Sequence, residues 1–515
     1  MNSAQALDTL SDRQAGHLRH FANLSRQPVN DWSSMQGRGA GQDDFGGYRF
    51  QLAYMAYALA LAHRHRLPAA PGAFKPVFER FIDKMLLPEV WMYWARVSRG
   101  GSVFNMHLAD QLSEDWDPVG RDNIMYSAYV QSMALLYNYL FDDDRYAAPG
   151  ALSFKYWSFF WGGPERRYAY DQNSLNEQIY WQMVESGYLG VACEPNCVFQ
   201  ICNQPAILGF RMHDLVNGRS VATEVTEGYR KAWEQFGHVG SNGHYNMMMA
   251  QDTRAVRENL GPSPWVDAWC GTLMNMWNRD FVHAHYPSQI RGWLTEGKDG
   301  ALSVRSAVRP EVMGQTVVND DSDFGWAATW ASEMGDAATL AGLMCHADRY
   351  MAPSWRGGGF YFPRNDALED EEGNRTLVEP MTGNVLLGYA NLNVPDGLWK
   401  LYNEPWSATR HGEPALVRVG DGIDVLQAYF DTDSRKLHFT LRRCEAAASG
   451  FEVVVGRLAG QGSWALWRAA ERVAHGADRD VEWSSTQELR AVDDGLAFPC
   501  PAGGSAAFVL QFNRV

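Results

Sequence analysis

The chain contains no run of roughly 18 consecutive apolar residues, which argues against a membrane-spanning helix. Its first residues, Met1 to Asp8, lack a basic stretch followed by an apolar one, so they do not read as a secretory signal. Blocks of Lys and Arg are also missing, and the formal net charge is −15. A face for nucleic acid needs clustered cations, so that class is excluded. Cysteine is scarce and odd in number: Cys193, Cys197, Cys202, Cys270, Cys345, Cys444 and Cys500. Without an export signal, these predict reduced thiols in a cytoplasmic compartment. No repeat shows in the letters, and no His or Cys set has standard metal-ligand spacing; His283 and His285 are two apart and do not share a helix face.

Apolar and aromatic residues are plentiful. Hydrophobic residues make up 46% and aromatics 13%, with 20 Trp and 20 Met. That supports a large core and can line a sizeable apolar pocket. Residues 47–65 predict a helix that is apolar all round and therefore enclosed by others. In 122–141, Met125, Tyr129, Met133 and Leu136 share one helix face. Further helical patterns fall near 10–24, 73–86, 173–186, 196–216, 222–236, 264–278, 284–295, 323–334, 337–350 and 380–392, with Gly or Pro clusters between several of them. About a dozen helices on short loops predict stacked helical hairpins. After residue 405 the period changes. Leu437, Phe439 and Leu441 alternate with polar residues, and 423–430, 451–455, 463–467 and 507–512 continue in strand style. The expected division is a helical domain over 1–405 and a small β-sandwich over 406–515. Two segments interrupt the helices: 98–116, polar with glycine, and 146–170, rich in aromatics and arginine. Either suits a lid or an interface.

The segment Gly190-Val-Ala-Cys193-Glu-Pro-Asn-Cys197-Val-Phe-Gln-Ile-Cys202-Asn-Gln stands out. Pro195 suits the first turn of a helix, which would put Cys193 just before the helix, where the dipole favours a thiolate. Cys202, seven residues past Pro195, then returns to nearly the same face, about 10 Å along the axis. Cys197 is rotated away into packing. Three readings stand at this point: thiol chemistry at a helix mouth, small apolar packing, or zinc ligation at a non-standard spacing. A disulfide between Cys193 and Cys202 is disfavoured by spacing and compartment.

Three stretches resemble the linalool dehydratase-isomerase family. They are Asn123-Ile-Met-Tyr-Ser-Ala-Tyr129 with Arg145-Tyr146; Cys193-Glu-Pro through Cys202-Asn with Asp214-Leu-Val-Asn-Gly218; and Trp265-Val-Asp-Ala-Trp269. Weaker matches run from about residue 18 to 405. The resemblance implies a mainly α protein, an (α/α)6 barrel, here followed by the β domain. It also implies acid–base chemistry around two cysteines, without metal or organic cofactor. The cysteines carry over to Cys193 and Cys202, and the pocket methionine to Met125. Departures accompany them. The family's histidine is Tyr129, a pocket tyrosine is Trp265, and a disulfide cysteine is Leu87. The N-terminal Asp and Tyr fall at Asn23 and Val29, with His20, Asp31, Asp43 and Asp44 nearby.

The leading expectation is a cofactor-independent lyase or isomerase acting on an alkenol, terpenoid or aromatic alcohol. Cys193, Cys202 and Tyr129 would be catalytic. Met125, Phe199, Glu194, Trp265, Asp267 and Trp269 would contact substrate. No nucleic acid, membrane span, cofactor or metal is expected, and homo-oligomer formation is open. A phenol of pKa near 10 is a poorer base than imidazole, but can donate. A second reading is a carbohydrate-active (α/α)6 enzyme using Glu194, His244, Tyr245, Asp267, Asp320 or Asp321. A third is a non-catalytic protein that binds an apolar ligand. Thiol dependence separates the first from the second, and turnover separates both from the third.

Overall fold

A computed structural model of the chain describes residues 7–36, 47–100, 105–158, 160, 163–259, 263–305, 311–312, 315–316, 321–485, 488–493 and 495–513. The helical part is built from twelve main helices among the described residues: α1 Asp12–Ser25, α2 Tyr48–His65, α3 Pro71–Met85, α4 Ile124–Phe141, α5 Gln172–Glu185, α6 Gln200–Asn217, α7 Val221–Glu234, α8 Pro264–Met274, α9 Arg279–Trp293, α10 Asp323–Glu333, α11 Ala337–Tyr350 and α12 Leu387–Leu392. A π-helical turn, Thr382–Leu386, leads into α12. Expected and observed helices overlap throughout.

The even-numbered helices form an inner ring. α2 packs on α4, α4 on α6, α6 on α8, α8 on α10, α10 on α12, and α12 back on α2. The sequence explains the sorting. α2 and α4 are apolar on every side, and nearly all their residues are buried. Outer helices are amphipathic instead. In α7 the buried residues are Ala222, Val225, Thr226, Tyr229 and Trp233, one stripe at helical spacing. The outer helices pack where chain order puts them, α3 against α2 and α4, α5 against α4 and α6.

Contacts at both ends show that the inner helices run in one direction. At their starts, Trp265 N–H of α8 donates to Asp323 Oδ1 of α10 at 3.0 Å, and Asn384 Nδ2 donates to Gln51 Oε1 of α2 at 3.0 Å. At their far ends the fully buried Glu333 closes the ring. Its carboxylate accepts from Asn275 and Asn393 side chains and from Leu398 N–H. The starts of six helices therefore converge on one end of the ring, where backbone N–H groups and dipoles favour negative charge.

The strands from Ala415–Val419 to Ser505–Phe512 form two antiparallel sheets, one of four strands and one of six. The sequence pattern missed several, including Glu471–Ala477 and Asp480–Ser484, which lie at the edge of the larger sheet and have weak alternation. Phe498 of the smaller sheet packs against Phe439 and Phe508 of the larger one. This β-rich region docks on α1 and α3. Arg19 reaches Asp424 and the Ile423 carbonyl, while Leu10 N–H donates to Leu426 O and Leu416 N–H to Ala69 O. Gly72 permits the contact, since a Cβ there would lie 2.5 Å from the Val417 backbone.

Candidate active site

Cys193 does not precede a helix. Glu194-Pro195-Asn196-Cys197 is a β-turn closed by Cys197 N–H on Glu194 O at 2.9 Å, with Asn196 at φ +67°. Proline followed by a left-handed asparagine is the type II turn pattern, and this explains why Pro195 stands here rather than at a helix start. Cys193 N–H then donates to Cys197 O at 2.8 Å, and Cys197–Val198 pairs with Met248–Ala250. Helix α6 begins only at Gln200.

Cys193 meets a helix start from a neighbouring element. Its carbonyl accepts from Asn123 N–H at 3.1 Å, and Ala192 O accepts from Ile124 N–H at 3.2 Å. The Met125 backbone, in the first turn of α4, lowers the pKa of the Cys193 thiol. The expected dipole is present, but α4 supplies it. Asn203 holds the loop in register. Its Oδ1 accepts from Val191 N–H at 2.8 Å, and its Nδ2 donates to Val191 O at 3.1 Å and Phe199 O at 2.9 Å. Gly190, at φ +117°, leaves room for that amide, because a Cβ would come within 2.7 Å of it.

The fold brings the two thiols together. The Cys202 thiol donates to Met125 Sδ at 4.0 Å, and the backbone of Ala192 and Cys193 accepts from the start of the same helix, so both cysteines meet at the start of α4, where each shifts the other's pKa. All seven cysteines are free thiols. The hydrogen bond from Cys202 is the strongest influence on Cys193 and lowers its pKa. Burial and the Glu194 carboxylate oppose it, and the net value lies above that of an ordinary thiol. Burial and Cys193 itself push Cys202 much higher, so it remains a donor. Cys197 is raised to about 12 by burial and the nearby acids, and takes no part.

Glu194 stands beside Cys193. Its side chain reaches solvent from a deeply surrounded position. Burial raises its pKa, and its own backbone N–H, Arg49 and Cys193 partly offset this. Arg49, absent from the sequence reading, is buried between the rings of Phe50 and Tyr93, with its guanidinium carbon 4.3 and 4.1 Å from their centres. It acts electrostatically on Cys193, Cys202 and Glu194. The overlooked signal was a cation in the first turn of an otherwise apolar helix. Tyr93, which donates to Asn123 Oδ1 at 2.6 Å, was also missed.

Other expected residues fall at different depths. Met125 and Cys193 are 6% and 8% exposed. Phe199 and Trp265 are half-buried. Tyr129 and Trp269 lie beneath, fully enclosed. Tyr129 packs against Phe50, Tyr54 and Tyr57, and Trp269 stacks on Trp326 at 4.4 Å. Burial and the neighbouring tyrosines drive the Tyr129 pKa far up. Asp267 is turned to the outer layer, opposite Trp265 and Trp269 on α8. It is fully buried, and its carboxylate is held by His244 Nδ1 at 2.6 Å, Tyr245 N–H at 2.8 Å and Trp293 Nε1 at 2.7 Å. Its bond raises the His244 pKa. Asp323, not anticipated, is buried with its pKa pushed up by burial to about 7, and holds the backbone of Trp265.

His20 and Asn23 line a separate cavity of about 180 Å³ with Gln36, Arg356 and Tyr361. Val29 is on the surface, and Asp31 caps the turn at Ser33. Asp43, Asp44 and Asp320 lie outside the described residues. Among the described residues no group of three or more His, Cys, Asp or Glu is placed to hold a metal ion, and no helix is long and apolar enough to cross a membrane.

A ring of inner helices with two buried cysteines at their starts defines the class: a helical-ring protein followed by a β-rich region. The family model described as linalool dehydratase/isomerase matches residues 49–368, more than half of the chain. The chain belongs to that family, which supports a lyase or isomerase reading. Solved structures resemble it at low identity. The α-1,6-mannanase of Salegentibacter sp. HEL1_6 is 11% identical over 76% of this chain and 99% of that one, with TM-score 0.40. The unsaturated glucuronyl hydrolase of Bacillus sp. GL1 is 13% identical over 77% and 98%, with TM-score 0.41. Endoglucanase CelQ of Clostridium thermocellum is 11% identical over 98% and 93%, with TM-score 0.35.

Proposed function

We propose that the chain is a cofactor-independent lyase or isomerase acting on a small, mostly apolar alcohol, an alkenol or aromatic alcohol, and that its inner ring with outer layer is an (α/α)6 toroid. The observation that carries this reading is the meeting of both cysteines at the start of α4 beside Glu194, Cys202 through Met125 Sδ at 4.0 Å and Cys193 through the Asn123 N–H at 3.1 Å. In this account Cys193 and its neighbour Glu194 hold one proton between them, and it rests on the thiol, whose pKa lies above that of an ordinary thiol. Cys193 S–H is the acid and gives its proton to the hydroxyl, which leaves as water; Cys202 favours the thiolate left behind. The Glu194 carboxylate is the base. It takes a proton from the adjacent carbon, and the freed electron pair forms the double bond. Returning that proton from Glu194 to Cys193 resets the site. Readdition of water at another carbon would give isomerisation. Arg49, held between two rings, keeps the acidic group compatible with burial.

This assignment moves Tyr129 from catalysis to the floor, because it is enclosed and its phenol is hard to ionise. The half-buried rings of Phe199 and Trp265 suit an apolar substrate and can stabilise developing positive charge. A carbohydrate site of the usual kind needs two carboxylates facing the substrate, and at this end, among the described residues of the site, Glu194 is the one that is exposed. Asp267 and Asp323 are both fully buried, and Asp267 points outward. A panel of alkenols, aromatic alcohols and oligosaccharides, assayed with and without iodoacetamide, tests the proposal. Conversion of an alcohol that alkylation abolishes is expected. Turnover of a glycan that survives alkylation contradicts it.

A further inference from the structure

We infer that the hairpin Leu152–Tyr156/Arg166–Tyr170 is a docking device for an anionic lipid surface. Among the exposed large apolar residues, Trp157 at 61% and Phe160 at 82% belong to the same tip. Clustered exposed aromatics are unusual on a protein surface, and Trp in particular favours the boundary between lipid and water. The flanking charges are mostly basic, with Glu165 the exposed acid among them. Lys155 and Arg167 are direct cross-strand partners, both exposed. Like charges in such a pair destabilise a ribbon unless an opposing surface neutralises them. In a chain of net charge −15 this pair is a local exception.

The ribbon is braced to hold its tip out. Phe154 packs on Trp91, Tyr126 and Tyr170, and Tyr170 OH donates to Asp117 at 2.7 Å. Above that root, Arg166 stacks 4.1 Å over Trp116, and Trp116 stacks on Tyr156 at 5.6 Å. An isolated two-stranded ribbon is marginal, so this bracing explains its order. Tyr126 is next to Met125 in the first turn of α4, so the hairpin rises from the end of the ring that carries Cys193. Docking there brings the site toward a phase in which apolar molecules dissolve. A second copy of the chain is the weaker occupant. Two rings bury far less than the roughly 1,000 Å² that a specific protein interface needs, whereas a few aromatic and basic side chains suffice for reversible membrane contact.

The inference goes beyond the proposed chemistry and does not need it, because binding is read without turnover. The full chain is sedimented with phosphatidylcholine vesicles and with mixed phosphatidylserine–phosphatidylcholine vesicles. Wild type is expected to bind the anionic vesicles more strongly. Trp157→Ser/Phe160→Ser is expected to weaken binding to both by about tenfold or more. Lys155→Glu/Arg167→Glu is expected to remove the preference for the anionic ones. Thermal melting and native mass show whether each variant keeps its fold and assembly. Absence of wild-type binding to anionic vesicles overturns the inference. So does unchanged binding in both folded variants, or a tip variant that loses only self-association.

Discussion

Replacing Asn203 by Ala tests whether one amide holds the loop of the candidate site. Asn203 is fully buried and makes three hydrogen bonds to backbone groups, at 2.8, 3.1 and 2.9 Å. Its loss orphans Val191 N–H and Val191 O and weakens the bonding of Phe199 O. Each buried orphan costs about 1–3 kcal/mol, so with partial relaxation the local loss is about 3–5 kcal/mol. Hydrogen exchange read by mass spectrometry over residues 186–199 is the assay. Exchange there should speed up on the order of a hundredfold or more, while α2 and α12 stay protected. Asn203→Asp, which sets a buried carboxylate against Val191 O and Phe199 O, should loosen the loop at least as much. Unchanged protection of residues 186–199, with only α6 loosened, would refute the reasoning.

Cys193 reactivity should move in opposite directions in two variants. Cys202→Ala removes the donor that lowers the Cys193 pKa, and Glu194→Gln removes an acid that raises it. The pH midpoint of iodoacetamide labelling at Cys193 should rise by about one unit or more in the first and fall in the second; equal midpoints would disprove the assignment. Asp267→Asn should cancel the raised pKa of His244. A raised folded pKa adds stability below the unfolded value near 6.5, and that stability is lost as pH rises through the folded pKa. The melting-temperature gap between wild type and Asp267→Asn should therefore be widest in mild acid and narrow above it. Arg19→Met breaks a buried bond network between α1 and the β-rich region. Asp424 keeps Arg442 as a partner, so a loss of about 2–3 kcal/mol is expected, with faster proteolysis between residues 404 and 414.

The helices were legible because most are long and strongly periodic, and α2 showed its central place by being apolar on every side. The Pro195 turn was misread for a physical reason. Proline fits both the first turn of a helix and the second position of a β-turn, and Asn196, which decides between them by accepting positive φ, carries no helix-breaking mark as strong as glycine. The neighbourhood of Cys193 and Cys202 could be marked from the chain, but their partners could not. Arg49, Tyr93 and Asp323 come from three distant segments and meet the site only through ring closure. The orientation of Asp267 follows from its position between Trp265 and Trp269, since a residue two away from each faces the other side of α8. That much was readable in the spacing.

The most direct test of the central claim is turnover by Cys193→Ala and Cys202→Ala, made separately, on an alcohol that wild type converts. Both thiols are buried, so thermal melting and the labelling of the remaining cysteine establish that each variant is folded. The account predicts a loss of about a thousandfold for Cys193→Ala, the range of a positioned acid. It predicts a smaller loss with an upward-shifted pH profile for Cys202→Ala. Full turnover in both folded variants would contradict it.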